Sequence, residues 1–198
     1  MQEDLKPVAV GFFFGLLSLI FGIFWAVYLV GGHESIHKTL MERGRAAVEK
    51  KFVTGEAPPS GNAHMHASPA EGSKGEGAVK GDWAGVHEDP LMDEAHERLT
   101  RGHLHAMGLG LVSIAVSFLL SFIAAPRFIK TLGSACIGIG GFFYPFSWIV
   151  MGYRTTALGD EAAAESVLPI VAFSVPLVLL GLFLTIGFLL VKGFGKSR

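Results

Sequence analysis

Four long stretches of the sequence contain no Asp, Glu, Lys or Arg, and this feature constrains the fold more than any other. They cover residues 8–32, 104–125, 131–153 and 166–191. Each is as long as the roughly 20 apolar residues that an α-helix needs to cross about 30 Å of hydrocarbon. The apolar runs are continuous rather than alternating, which favours helices over the strands of a barrel. The sequence therefore predicts an all-α integral membrane protein with four transmembrane helices.

Composition excludes several classes of function. The chain is 51% hydrophobic and 17% charged, where globular domains usually have a charged fraction of roughly 25%. A net charge of −1 argues against a nucleic-acid partner, which requires a basic surface. The single cysteine, Cys136, lies in the third stretch, so there is no disulfide framework, no CxxC zinc pair and no CxxCH haem attachment site.

The predicted segments follow from these stretches. The N-terminus and the first helix occupy residues 1–32, and we interpret this segment as an uncleaved span because its apolar run is too long for a signal peptide. A long loop covers residues 33–102. The three remaining transmembrane helices cover residues 103–125, 131–153 and 166–191. Residues 192–198 form the C-terminal tail.

The long loop has three predicted parts. Residues 33–53 have apolar positions at helical spacing, which is typical of an amphipathic helix on the bilayer or against another subunit. Residues 54–88 are rich in Gly, Ser, Ala and Pro and form a predicted flexible linker. Residues 89–102 form a predicted helix that leads into the membrane, because Asp89 is a good N-cap and Pro90 suits the first helical position.

Charge in the short connections predicts the orientation. Arg127 and Lys130 lie between the second and third spans, whereas the connection after the third span is acidic overall. Positive charge in short loops marks the cytoplasmic side of a membrane. We therefore expect both termini to be cytoplasmic and the long loop to be exoplasmic, or periplasmic in a bacterial inner membrane. Small residues along the first span predict close contact with another helix; these are Gly11, Gly15, Ser18 and Gly22.

All eight histidines lie between residues 33 and 105, on the predicted exoplasmic side. Three of them, His64, His66 and His87, fall in the linker. The other five flank the outer ends of the first two spans. They are His33, His37, His96, His103 and His105.

Two imidazoles at matching depth on neighbouring helices are the arrangement that holds haem b in a helical bundle. The expected depths in the membrane favour His33 as one haem ligand and His103 or His105 as the other. His37 lies one helical turn further from the membrane than His33. His96 is disfavoured, because it lies about 10 Å further out than His103. The guanidinium groups of Arg101 and Arg154 are candidates to pair with the haem propionates.

Other interpretations of the histidines remain open. Imidazole ligates copper and zinc as well as iron, so His33 and His103 are also candidates for binding a single metal ion. Interfacial histidines with no ligand are a third interpretation. The string from Tyr144 to Trp148 combines a proline kink with aromatic and hydroxyl groups, and it is a candidate contact for a quinone.

The function predicted from these features is a small membrane subunit of an electron-transfer complex in a respiratory chain. It would bind haem b and exchange electrons between quinone and an exoplasmic redox partner, among other subunits and membrane lipid. One alternative is a non-catalytic assembly or scaffold subunit, and another is an exoplasmic transition-metal binding or transport accessory protein. The sequence contains no catalytic motif.

Overall fold

The computed structural model describes residues 5–54 and 90–194, and the regular elements in those ranges are all helices. A short 3-10 turn at Lys6–Val8 precedes the first α-helix. The six α-helices are α1 (Ala9–Gly31), α2 (His33–Thr54), α3 (Pro90–Phe122), α4 (Arg127–Leu158), α5 (Asp160–Glu165) and α6 (Leu168–Phe194). The predicted linker lies outside the described residues, except for its first position.

Four of these helices, α1, α3, α4 and α6, are long and apolar enough to cross a membrane. This confirms the prediction of an all-helical chain with four candidate spans. α3 runs without a break from Pro90 to Phe122, so the segment before the second span and the span itself form one helix. We call the end of the bundle at which α1 ends and α3 begins the histidine end.

α4 is the central helix of the bundle. In its most apolar window 56% of the residues are buried, against 17% in the windows of the first and last spans. α1, α3 and α6 all pack on α4, and α1 also packs along α3. Small residues of α4 permit this close packing, since a Cβ added to Gly138 would lie 2.9 Å from the Cα of Gly11.

The small residues of α1 form its buried face, as the sequence predicts. Gly11, Gly15, Ser18 and Gly22 are the buried residues of α1. The Ser18 hydroxyl donates a hydrogen bond to the carbonyl of Ala106 on α3, at 2.9 Å. Small residues let helix backbones approach closely in an apolar medium, where shape and hydrogen bonds hold helices together.

The opposite face of α1 is apolar and exposed. Phe13, Phe24 and Val27 are 61%, 70% and 64% exposed, and residues of α6 such as Phe183 (69%) are similar. Such continuous apolar surface is too large for an ordinary soluble monomer and suits a hydrocarbon environment.

α2 packs on the bundle of its own chain, rather than only on lipid or on another subunit as the sequence suggested. Ile36 and Leu40 on α2 are 1% and 0% exposed and lie against Leu99 of α3 and Ile149 of α4. Beyond this contact Val48 is 54% exposed. The first turns of α2 are therefore fixed to the histidine end, close to the start of α3.

Candidate functional site at the histidine end

Three imidazole rings meet at the histidine end, two from α2 and one from α3. The ring centroid of His96 lies 5.3 Å from that of His33 and 6.0 Å from that of His37. The centroids of His33 and His37 are 6.5 Å apart. We call these three residues the imidazole cluster. Its α2 members are exposed and His96 is half-buried.

Packing beneath the cluster explains why the rings meet. His33 and His37 are four residues apart, so they share one face of α2. The neighbouring Ile36 is fully buried and sets the rotation of α2 on the bundle. On α3, His96 lies beside the buried Ala95, which belongs to the same apolar core as Ile36. A single hydrophobic contact therefore brings both helices, with their histidines, to one place.

His96 has one ring nitrogen engaged and the other without a partner. Its Nδ1 lies 2.9 Å from the carbonyl oxygen of Met92. A carbonyl only accepts hydrogen bonds, so Nδ1 carries the proton and Nε2 of the neutral ring carries a lone pair. This Nε2 is buried and has no hydrogen-bond partner. Metal-ligating histidines commonly have this arrangement, in which one nitrogen is fixed by a carbonyl and the other is left to ligate.

The spacing of the rings can be compared with that of a metal centre. Imidazole nitrogens bind zinc at about 2.0–2.1 Å, which places the ring centroids of two tetrahedral ligands roughly 5 Å apart. The observed separations of 5.3 Å to 6.5 Å approach that value. In the described residues no three His, Cys, Asp or Glu side chains converge on one point as they stand. Closing the cluster on an ion requires the exposed rings of His33 and His37 to turn.

The structure does not bring His33 and His103 together. Nδ1 of His103 lies 2.9 Å from the carbonyl oxygen of Gly22, in the middle of α1. The eleven residues from Gly22 to His33 correspond to a helical rise of about 16 Å. The register is fixed at Trp25, whose indole Nε1 donates to the carbonyl of Leu99 at 3.0 Å.

This register explains the difference from the expected depths. The polar first turns of α3 lie beside the apolar end of α1, so the start of the apolar run of α3 faces Gly22 rather than His33. His96 is consequently the α3 histidine that lies at the level of His33. The depth argument that set His96 aside does not hold in this structure.

α1 and α3 touch along the segment where a haem was expected. A Cβ added to Gly110 would lie 2.9 Å from the carbonyl oxygen of Gly15, and one added to Gly22 would lie 3.0 Å from Met107. The backbones of α1 and α3 are therefore in direct contact at these positions, and haem binding remains a prediction that the structure does not test.

His105 faces a different part of the bundle. Its ring stacks on Trp148 of α4 at 5.3 Å and meets the edge of Tyr144 at 5.2 Å. Its Nδ1 lies 2.8 Å from the carbonyl oxygen of Arg101. The aromatic string of α4 therefore lies next to a histidine, as the sequence suggested, while quinone binding there remains a prediction.

The two arginines proposed for haem propionates have other partners. Arg101 forms an ion pair with Glu97 one turn earlier, at 2.5 Å, and lies over the ring of Trp148 at 5.2 Å. Arg154 is exposed and its guanidinium donates to the carbonyl of Ser166 at 3.4 Å. Neither guanidinium contacts the imidazole cluster.

Arg98 is a buried charge that the sequence analysis did not single out. Its side chain is 7% exposed and pairs with Glu94 at 2.9 Å and with Asp160 at the start of α5. Nη1 also donates to the hydroxyl of Thr155 at 3.0 Å. This network joins α3 to α4 and α5. The Glu94-to-Arg98 spacing of four residues is the signal that predicts an ion pair on one helix face.

His64, His66 and His87 lie outside the described residues, so the geometry concerns only the other five histidines. Comparisons of the chain with protein-family models, with curated proteins and with solved structures gave no match. The functional argument therefore rests on the arrangement of the side chains.

Proposed function

We propose that this protein binds a transition metal ion, copper or zinc, through the imidazole cluster at the outer surface of a membrane. The observation that carries the proposal is His96, whose Nδ1 is fixed to the Met92 carbonyl while its buried Nε2 lacks a partner. Leaving a buried acceptor unsatisfied costs roughly 1–3 kcal/mol. A ligand that accepts the Nε2 lone pair, such as a metal ion, removes that cost.

Three neutral imidazoles make a suitable set of ligands for such an ion. Zinc sites with three histidines keep a fourth position for water or another ligand. His33 and His37 are exposed, so an ion has direct access to the cluster from solvent. Imidazole suits both zinc and copper, and the histidines alone do not discriminate between them.

The proposed location is the exoplasmic surface. The connection between α3 and α4, at the opposite end of the bundle, carries Arg127 and Lys130. Under the positive-inside rule that end is cytoplasmic and the histidine end faces outward. The cluster then meets metal ions outside the cell or in the periplasm, as part of a membrane complex or as an accessory to one.

Binding at the surface is supported better than passage through the bundle. Charged side chains inside a membrane commonly mark ion pathways. The apolar stretches of the four spans contain no Asp, Glu, Lys or Arg. The α1–α3 interface is also closed by direct contacts such as that of Gly15 with Gly110. We therefore assign the protein a role in holding a metal ion rather than in conducting it.

The test uses the full chain in detergent, in a background that removes the linker ligands. We call this variant the linker-alanine background. It carries His64→Ala, Met65→Ala, His66→Ala and His87→Ala. Equilibrium dialysis with metal analysis measures the amounts of Zn²⁺ and Cu²⁺ bound. The expected stoichiometry is about one ion per chain, because the cluster offers one set of three imidazoles.

The decisive variant is His96→Ala in that background, and His105→Ala is its matched control on the same helix. Loss of a residue that only orients a metal ligand lowers the affinity of a metal site roughly 10–100-fold, so loss of the ligand His96 should lower it at least as much. His105→Ala should bind as the background does. Equal binding by His96→Ala and the background, or no stoichiometric binding by the background, would overturn the proposal.

The haem b and scaffold hypotheses are tested with the same material. A haem subunit purified from haem-replete cells shows a Soret band and a positive pyridine haemochrome, whereas the metal hypothesis predicts a colourless apoprotein. A scaffold subunit retains assembly of its complex when His33, His37 and His96 are all replaced by alanine. The packing of α1 on α3 and the partnerless Nε2 of His96 support the metal site over both.

A further inference from the structure

Each helix of the imidazole cluster carries a methionine one helical turn from its histidine. Met41 follows His37 by four residues on α2, and Met92 precedes His96 by four residues on α3. Residues four apart lie on the same face of a helix. The two His–Met pairs therefore present imidazole and thioether on matching faces of two neighbouring helices.

The two methionines line one groove. A cavity of about 690 Å³ lies between α2, the first turn of α3 and the last turn of α4, and its walls include Leu40, Met41, Met92 and Thr156. Met41 is 39% exposed and Met92 is half-buried. On each helix the methionine in the groove wall is one turn from a histidine of the cluster. The Met92 carbonyl is also the hydrogen-bond partner of His96, so the groove adjoins the imidazole cluster. The Thr156 hydroxyl in its wall is buried without a hydrogen-bond partner.

The charge of the groove does not oppose a cation. Arg45 and Glu49, the charged residues among its walls, have opposite signs and are four residues apart on α2. Residues at this spacing are neighbours on the helix surface, so the two charges offset each other.

We propose that the imidazole cluster and this groove together form a site for cuprous ion, with Met41 and Met92 supplying soft ligands beside the histidines. This inference rests on the proposed metal-binding function and names its metal. Thioether sulfur selects Cu(I), whereas zinc in proteins is held by imidazole, thiolate and carboxylate. Two methionines at one end of a histidine cluster therefore favour the binding of copper over that of zinc, whereas the histidines alone favour neither metal.

Methionine also fills apolar grooves without any ligand, and the substitution that separates the two roles is leucine. Leu and Met have similar volumes, and a packed site usually tolerates their exchange. Met41→Leu with Met92→Leu therefore keeps the apolar walls of the groove and removes both sulfur atoms.

The experiment compares the linker-alanine background with the same background carrying Met41→Leu and Met92→Leu. Cu(I) affinity is measured anaerobically by competition with a chromogenic cuprous chelator, and Zn²⁺ affinity by dialysis of the same preparations. We expect the double variant to bind Cu(I) at least about tenfold more weakly and Zn²⁺ with unchanged affinity. Met107→Leu in the background is the matched control. It removes a sulfur from α3 outside the groove, where Met107 lies beside Gly22 of α1, and it should leave the affinities for Cu(I) and Zn²⁺ unchanged.

The outcomes separate the two proposals. Unchanged Cu(I) affinity in the double variant, with both metals still bound, overturns the cuprous site and leaves the histidine site intact. Parallel loss of Cu(I) and Zn²⁺ affinity in the double variant also overturns it, because the methionines then act through packing. Failure of the background to bind either metal overturns the proposed function itself.

Discussion

The ring of His96 lies 5.3 Å from the ring of His33, although the two residues belong to helices that a long segment of chain separates. Their contact depends on the docking of α2. The chain leaves α1 at Gly32, and the first turns of α2 then bury Ile36 and Leu40 on the bundle. The imidazole cluster is thus assembled by hydrophobic packing, and its geometry should respond to changes in that packing.

Ile36→Ala tests this dependence without touching a ligand. Ile36 is 1% exposed, and replacing a buried isoleucine by alanine costs about 2–5 kcal/mol. This substitution weakens the packing of α2 on the bundle. We therefore expect weaker metal binding in equilibrium dialysis together with a lower unfolding temperature. Val48→Ala, at a position 54% exposed on the same helix, is the control and should change neither. Unchanged metal affinity in Ile36→Ala would show that the cluster does not depend on α2 docking.

A second prediction concerns the buried guanidinium of Arg98. Arg98→Met removes the bonds to Glu94, Asp160 and Thr155, which join α3 to α4 and α5. A hydrogen bond to a charged group contributes about 1.5–3 kcal/mol when buried. The side chain of Asp160 is 61% exposed, so solvent screening reduces its share. We expect a loss of about 1–3 kcal/mol in stability, measured by thermal or denaturant unfolding in detergent.

Arg101→Met is the matched control for Arg98→Met. Arg101 also pairs with a glutamate one turn earlier, but its side chain is 41% exposed and Glu97 is 56% exposed. Exposed pairs of this kind contribute at most about 1 kcal/mol. Equal destabilisation by the two substitutions would contradict a structural role for the buried network.

The candidate spans were predictable because hydrocarbon imposes a simple rule on sequence. A spanning helix must be long, apolar and free of charge, and all four such helices in the described chain were identified. The buried face of α1 was also predictable, since Gly11, Gly15 and Gly22 recur at helical spacing. Both signals are local, because each depends on one segment of chain alone.

The candidate site was only partly predictable, because it depends on the register between segments. The sequence indicated which histidines lie near the ends of the first two spans, but not how far α3 extends along α1. That register is set by individual contacts, such as the Trp25 indole with the Leu99 carbonyl. Arg98 was missed for a similar reason, since its partners Thr155 and Asp160 lie 57 and 62 residues away in the chain.

The α1–α3 contact gives a third prediction, with a control two residues away. A Cβ at Gly110 would lie 2.9 Å from the Gly15 carbonyl oxygen, whereas one at Gly108 meets no atom within 4 Å. Gly110→Ala should therefore force the helices apart and lower the unfolding temperature. Gly108→Ala should raise stability slightly, by about 0.5–1 kcal/mol, because alanine favours the helix. Identical effects of the two substitutions would show that α1 and α3 do not approach as closely as described.

The last prediction concerns the orientation on which the exoplasmic location of the metal site depends. Two single-cysteine variants, Ser73→Cys in the linker and Ser197→Cys after Lys196, are made in a chain with Cys136→Ala. Cys136 is buried, so replacing it by alanine does not change the protein surface. The introduced cysteine is then the only thiol that a maleimide can label. A membrane-impermeant maleimide applied to intact cells or spheroplasts should label the cysteine at position 73 and leave that at 197 unlabelled until the membrane is permeabilised. We expect this pattern because the positive-inside rule predicts that both termini are cytoplasmic. Labelling at 197 alone would place the imidazole cluster in the cytoplasm, and the proposed source of its metal would change with it.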